Sequence, residues 1–172
     1  IDLNEALRTS HTDGIVVLHR GQIVCEWYTH GLTPDAPHLI FSVSKSVAGT
    51  LGGILADRGI LDPDAPVTRY IPEMKGSVYG DGCTVRHLLD MSVGIRFDED
   101  YMDPHGDATN YRRATGWEQP DPSVPPTHLR QYLQTLRPDG TPHGHTFHYV
   151  STNTDVLGWV YERACGLSYA KI

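Results

Sequence analysis

Two short apolar runs come first in the chain. "GIVVL" (14–18) and "IVCEWY" (23–28) are dense in β-branched and aromatic residues, and Arg20-Gly21 lies between them, so the pattern predicts a hairpin within residues 13–30. From about Val43 the spacing becomes helical and runs to Arg58, giving a helix over 42–58 with Gly59 as its C-cap. "DPDAP" at 62–66 stops it, and Thr84 is placed to cap a short helix, "VRHLLDM", that Gly94 ends. Residues 95–126 have little period and many Asp, Gly and Pro; a loop of that length inside a compact domain is usually functional or mobile. Thr127 then opens a helix with Leu129, Tyr132, Leu133 and Leu136 on one face, closed by Pro138 and Gly140. The last helix runs from about Asn153 to Ala164 with Val156, Leu157, Val160 and Tyr161 inward and Gly166 after it.

Two strands are thus followed almost entirely by helices and loops, with no repeat and no low-complexity tract. A lone two-stranded hairpin is marginal in water, and no strand precedes the final "SYAKI" to complete a sheet. The expectation is an α/β fold of which residues 1–172 form the N-terminal part: the hairpin, the helix at 42–58, and a helical region over 60–172 containing the long loop.

Composition narrows the partners. The 172 residues carry a formal net charge of −7 without a basic block, which argues against nucleic acid or an anionic membrane surface as partner. The longest mostly apolar run, "VAGTLGGILA", is too short and glycine-rich to span a bilayer. The opening "IDLNEALRTS" lacks the basic-then-apolar signature of a leader, so a cytoplasmic location is expected. Cys25, Cys83 and Cys165 are widely spaced and read as buried, reduced thiols. A homodimer is left open.

The chemistry centres on "FSVSKSV", residues 41–47. Nine serines and three lysines in this length would produce S-x-x-K by chance about 0.16 times, yet the chain holds two, Ser42 to Lys45 and Ser168 to Lys171. Ser168 follows a helix-ending glycine and reads as a cap or surface hydroxyl. Ser42 lies where the extended "HLIF" turns into a helix, where unpaired N–H groups and the positive end of the dipole favour a developing anion. Three residues along a helix bring Lys45 within side-chain reach. A serine hydroxyl needs such a base, and lysine serves only where burial and positive potential lower its pKa. The flanking Phe41, Val43 and Val47 are apolar enough to desolvate it. The competing reading, in which Ser42 only caps the helix and Lys45 is solvated, stands equally at this point.

Tyr149 and Ser151, in Y-x-S spacing before the last helix, add a third polar element. S-x-x-K is a signature of penicillin-binding proteins and β-lactamases. Together with "GILDPDAPVTRYIPEMKGSVY", "VRHLLDMSVGIRFDEDYMDP", Gly116-Trp117 and "YVSTNTDVLGWVYER", these blocks closely resemble the 6-aminohexanoate-dimer hydrolase group, serine hydrolases of the β-lactamase-like (penicillin-binding-protein-type) superfamily, from roughly residue 13 to the end. The resemblance implies an antiparallel sheet flanked by helices plus a helical subdomain, and a small-molecule ester or linear amide as substrate, without metal or organic cofactor. It assigns Ser42 as the acylated nucleophile, Lys45 as its base and Tyr149 as proton-transfer partner. It places Tyr101, Trp117 and Ser151 against substrate, the first two on a loop (95–126) that closes over it.

Two departures bear on specificity. Tyr111 stands where the resemblance expects an aspartate for a substrate ammonium, with Asp103 or Asp107 as candidate substitutes, so ester hydrolysis is the safer expectation. The K-T-G-like strand, with the second oxyanion-hole donor, lies beyond Ile172. Rival readings are a D-alanyl peptidase or β-lactamase, a non-catalytic domain that binds acyl ligands, and a metal site built from His143, His145 and His148.

Overall fold

A computed structural model describes residues 2–123, 125 and 127–172. The chain forms two compact units, residues 1–41 and 42–172.

The first unit begins with a helix the sequence pattern does not announce, α1 (Leu3–Thr9), whose first turn is capped by Asp2 accepting from the Asn4 N–H at 3.0 Å. β1 (Gly14–His19) and β2 (Gln22–Tyr28) follow as an antiparallel pair, Gly14 facing Tyr28 and His19 facing Gln22, with an irregularity between Val17 and Leu18. Arg20 and Gly21 both take positive φ, 51° and 79°, the type I′ geometry whose twist suits a two-residue hairpin. Val16, Val17, Leu18, Ile23 and Val24 are exposed. Cys25 is exposed, contrary to the buried thiol expected; Cys83 is the buried one and Cys165 lies between.

The second unit packs around its last helix. Along the chain come α2 (Ser44–Asp57), α3 (Val67–Tyr70), α4 (Val85–Leu89), α5 (Asp107–Thr115), α6 (Leu129–Thr135) and α7 (Ser151–Cys165). Val156, Leu157, Val160 and Tyr161 of α7 are buried against Val67, Ile71, Val85 and Leu88, a 3.6-period stripe meeting the short helices before it. α2 turns Ala48, Gly52 and Leu55 inward, and the Tyr161 hydroxyl donates to the Ala48 carbonyl at 3.1 Å. The first turn of α7 is held by Tyr79, fully buried, whose hydroxyl meets Thr152 Oγ1 at 2.7 Å and Asn153 Oδ1 at 3.1 Å. Among the described residues there is no third strand, and no helix is long and apolar enough to cross a membrane.

Several sequence expectations are corrected. The loop over 95–126 contains a nine-residue helix, α5, hidden because it buries the small Ala108, Thr109 and Ala114 rather than an apolar stripe; residues 124 and 126 lie outside the described ones. α4 stops at Leu89, well short of Gly94, and Met91 takes a left-handed φ of 51°. Thr127 caps nothing: His128 precedes α6, with no side-chain cap bond. Thr84 does cap α4, through a reciprocal pair with His87.

One close backbone approach leads directly into Tyr149. The segment 91–96 runs against 137–148 through Arg96 N–H to Arg137 O (3.0 Å), Gly144 N–H to Ser92 O (2.7 Å) and His148 N–H to Met91 O (2.7 Å). The last of these bonds fixes the chain one residue before Tyr149.

Candidate active site

Ser42 occupies a 3₁₀ turn, Phe41–Val43, immediately before α2. Phe41 is held at φ 42°, a left-handed conformation costly for an aromatic residue and found where the surroundings impose it. The residue at the N-cap of α2 is Val43, and no side chain makes a capping bond there. The Ser42 hydroxyl is therefore not spent as a cap. It faces Lys45, whose Nζ stands 3.0 Å from Ser42 Oγ. As a cation Lys45 donates along this line; as a neutral amine it accepts the serine proton along the same line.

Lys45 is half-buried and Ser42 exposed. The apolar cover does not come from the sequence neighbours, as expected, since Phe41, Val43 and Val47 are 65%, 62% and 62% exposed. Tyr149 lies beside the amine, its ring 5.4 Å from Lys45 Nζ, a cation–π contact. Tyr149 meets Lys45 through its ring rather than through a hydrogen bond from its hydroxyl. The rival pair behaves differently: Ser168 and Lys171 are exposed, and their link is a backbone bond closing a 3₁₀ turn.

Around this pair lie groups that sequence reasoning missed. Glu99 accepts from the backbone N–H of Ser151 through Oε1 and from the Tyr101 hydroxyl through Oε2 at 2.5 Å. Asp155, one turn into α7 from Ser151, accepts from the Tyr111 hydroxyl at 2.8 Å. The bond from Glu99 to Ser151 spans 52 positions and leaves no local pattern. Asp155 had one available signal, a carboxylate set four residues beyond Ser151, next to the buried Val156 and Leu157. Partial burial, seconded by the Glu99 bond, pushes the Tyr101 phenol up to about 12.

The expected site residues separate into three groups. Ser42, Lys45 and Tyr149 form one cluster, and Ser151 (7% exposed) connects to Tyr101 through Glu99. Trp117 stands apart, 70% exposed just past α5. Asp103 and Asp107 are engaged in loop bonds, accepting from the N–H of His105 (2.9 Å) and Asp98 (3.1 Å). The histidines do not converge: His143 bridges the Gly94 N–H and the Asp81 carbonyl at 3.1 Å each, and His145 meets Thr146. Among the described residues no three His, Cys, Asp or Glu side chains form a metal-holding group. A cleft of about 340 Å³ between α2, α6 and α7, lined by Ser44, Asp155, Trp159 and Glu162, contains none of Ser42, Lys45 and Tyr149.

Asp155 yields a stability prediction. Burial raises its carboxyl to about 6, against the Tyr111 bond and the nearby Lys45 charge, both of which favour the anion. A folded-state pKa above the unfolded one means stability that is complete below about 3.8 and lost as pH rises through about 6. Asp155→Asn, which keeps an oxygen for Tyr111, is expected to stabilise the fold at pH 8 by on the order of 1–3 kcal/mol. The gain should close below pH 4 when urea midpoints are compared across pH.

A family model described as beta-lactamase matches residues 5–172. The 6-aminohexanoate-dimer hydrolase of Paenarthrobacter ureafaciens is 43% identical over 170 residues, covering 99% of this chain and 42% of that protein. Among solved structures, a Bacillus anthracis protein described as a 6-aminohexanoate-dimer hydrolase superposes with TM-score 0.82 at 29% identity, over 98% of this chain and 44% of that one. A class C beta-lactamase from Rhodobacter sphaeroides gives TM-score 0.64 at 23% identity over 98% and 44%, a likeness of fold. The chain thus spans less than half the length of these relatives.

Proposed function

We propose, from the premise that this chain belongs to the beta-lactamase family and has its fold, that the protein is a serine hydrolase of carboxylic esters or linear amides working through an acyl-enzyme on Ser42. The two units are taken as parts of one domain. The observation that carries the proposal is the 3.0 Å line between Lys45 Nζ and Ser42 Oγ at a helix start where serine has no capping duty.

Neutral Lys45 takes the Ser42 proton as Oγ attacks the carbonyl carbon. The oxyanion forms beside the first N–H groups of α2, and the Ser42 N–H supplies one donor; a second is assigned to the part of the relatives' length that this chain does not span. The relay to the leaving oxygen or nitrogen is assigned to the hydroxyl of Tyr149, whose ring adjoins Lys45. Water then attacks the acyl carbon, gives its proton back along the same path, and releases the acid with Ser42 restored. The Paenarthrobacter relative's name points to 6-aminohexanoate oligomers as one amide class. Tyr111 tied to Asp155, with Asp103 and Asp107 engaged in the loop, favours esters over substrates carrying an ammonium.

A fluorophosphonate probe followed by peptide mass spectrometry tests this on the whole protein. Label on Ser42 is the expected result. Label elsewhere, or none, overturns the assignment; label with ester acylation but no product release marks an acyl-binding domain instead.

A further inference from the structure

We propose that Glu99 is a positioning residue that fixes Tyr101 relative to the end of α7 on which Ser151 sits and which Tyr149 adjoins; this rests on the acyl-enzyme reading above. α7 begins without a capping side chain at Val150 and with no acidic residue in its first turn, although its first three residues are buried. Its leading N–H groups cannot all turn to water. The Ser151 N–H finds its acceptor in Glu99 Oε1, an anion placed at the positive end of the helix from a distant part of the chain.

The second oxygen of the same carboxylate is used as specifically. Glu99 lies between an anchored residue and a free tip: Phe97 is 5% exposed, whereas Tyr101 and Met102 are 51% and 88% exposed. Between them, Asp98 and Asp100 accept from the N–H groups of Asp100 (3.1 Å) and Met102 (2.8 Å), which shapes the tip but does not aim the tyrosine ring. What aims it is the 2.5 Å bond from its hydroxyl to Glu99, with Arg112 alongside, its guanidinium 5.7 Å from the ring and its NH2 group 3.4 Å from the Tyr101 carbonyl.

A carboxylate only accepts, so the Tyr101 hydroxyl commits its proton to Glu99. Glu99 therefore sets the place of Tyr101, in register with the helix start beside Tyr149.

A double-mutant cycle on the whole protein tests this, with kcat/KM for a p-nitrophenyl ester as readout and the Ser42 labelling experiment as reference. Glu99→Gln keeps an acceptor for the Ser151 N–H. It is expected to lower kcat/KM by about tenfold in the wild-type background and by less than about twofold in Tyr101→Phe. Glu99→Asp, too short to reach both partners, is not expected to rescue. Equal losses in the two backgrounds would mean that Glu99 only caps α7, and the proposal fails; no loss in either also overturns it. Failure of Ser42 to label in the wild type sinks the underlying reading instead, so the two failures are distinct.

Discussion

Lys45→Ala is expected to lower kcat/KM for a p-nitrophenyl ester by about 10²–10⁴-fold, since a base in hydrogen-bond contact with its nucleophile contributes on that order. The serine remains in the variant, in the same turn, but nothing within reach takes its proton at 3.0 Å. The fold should survive. Lys45 is half-buried, whereas the side chains that α2 gives to the core are Ala48, Gly52 and Leu55. Lysine to alanine also favours the helix slightly. Thermal unfolding should therefore stay within a few degrees of wild type while stopped-flow acylation of Ser42 slows. Loss of activity accompanied by a large fall in Tm would mean that Lys45 is structural, and retained activity would remove it from the mechanism. Ser42→Ala should lose at least as much, with no burst of p-nitrophenol.

Gly94→Ala is expected to destabilise the fold by about 3 kcal/mol or more, a fall in Tm of roughly 6–12 °C for a chain of this size. A Cβ at Gly94 would lie 1.8 Å from the Thr141 carbonyl oxygen and 2.8 Å from its carbon, and both are backbone atoms. A flexible side chain could turn aside; a peptide group fixed on both sides cannot. Gly94 N–H donates to His143 Nδ1 at 3.1 Å, Ile95 bridges Pro138, and Gly144 and His148 are bonded to Ser92 and Met91. Displacing Thr141 therefore moves the segment that leads into Tyr149, and activity should fall with stability. Gly158→Ala is the control: its Cβ would meet the Tyr169 ring at 3.8 Å, ordinary contact, and a helical alanine there should be neutral or slightly stabilising. Equal Tm values for the two variants would show that the 94–141 approach relaxes freely.

The hairpin was legible because its signals are local: an alternation of β-branched residues around Arg20-Gly21, a pair that accepts two positive φ values. α2 and α7 were legible because each carries a helical apolar stripe and ends on glycine, with Gly166 left-handed as its position requires. α5 was not, since a helix that buries Ala108, Thr109 and Ala114 shows no stripe until its partners are known. Ser42 and Lys45 could be paired from spacing alone, because three residues along a helix fix their separation whatever surrounds them.

By itself, then, the sequence determined the interactions that close within a turn or two of chain: the hairpin, the two long helices, and a hydroxyl beside an amine. Whether that hydroxyl is a cap, what covers the amine, and where the carboxylates of Glu99 and Asp155 find their partners depended on contacts across 44 and 52 positions. Such contacts leave no periodicity in the chain, because burial and hydrogen bonding between distant segments are decided by how α2, α5 and α7 pack and not by the residues beside each group.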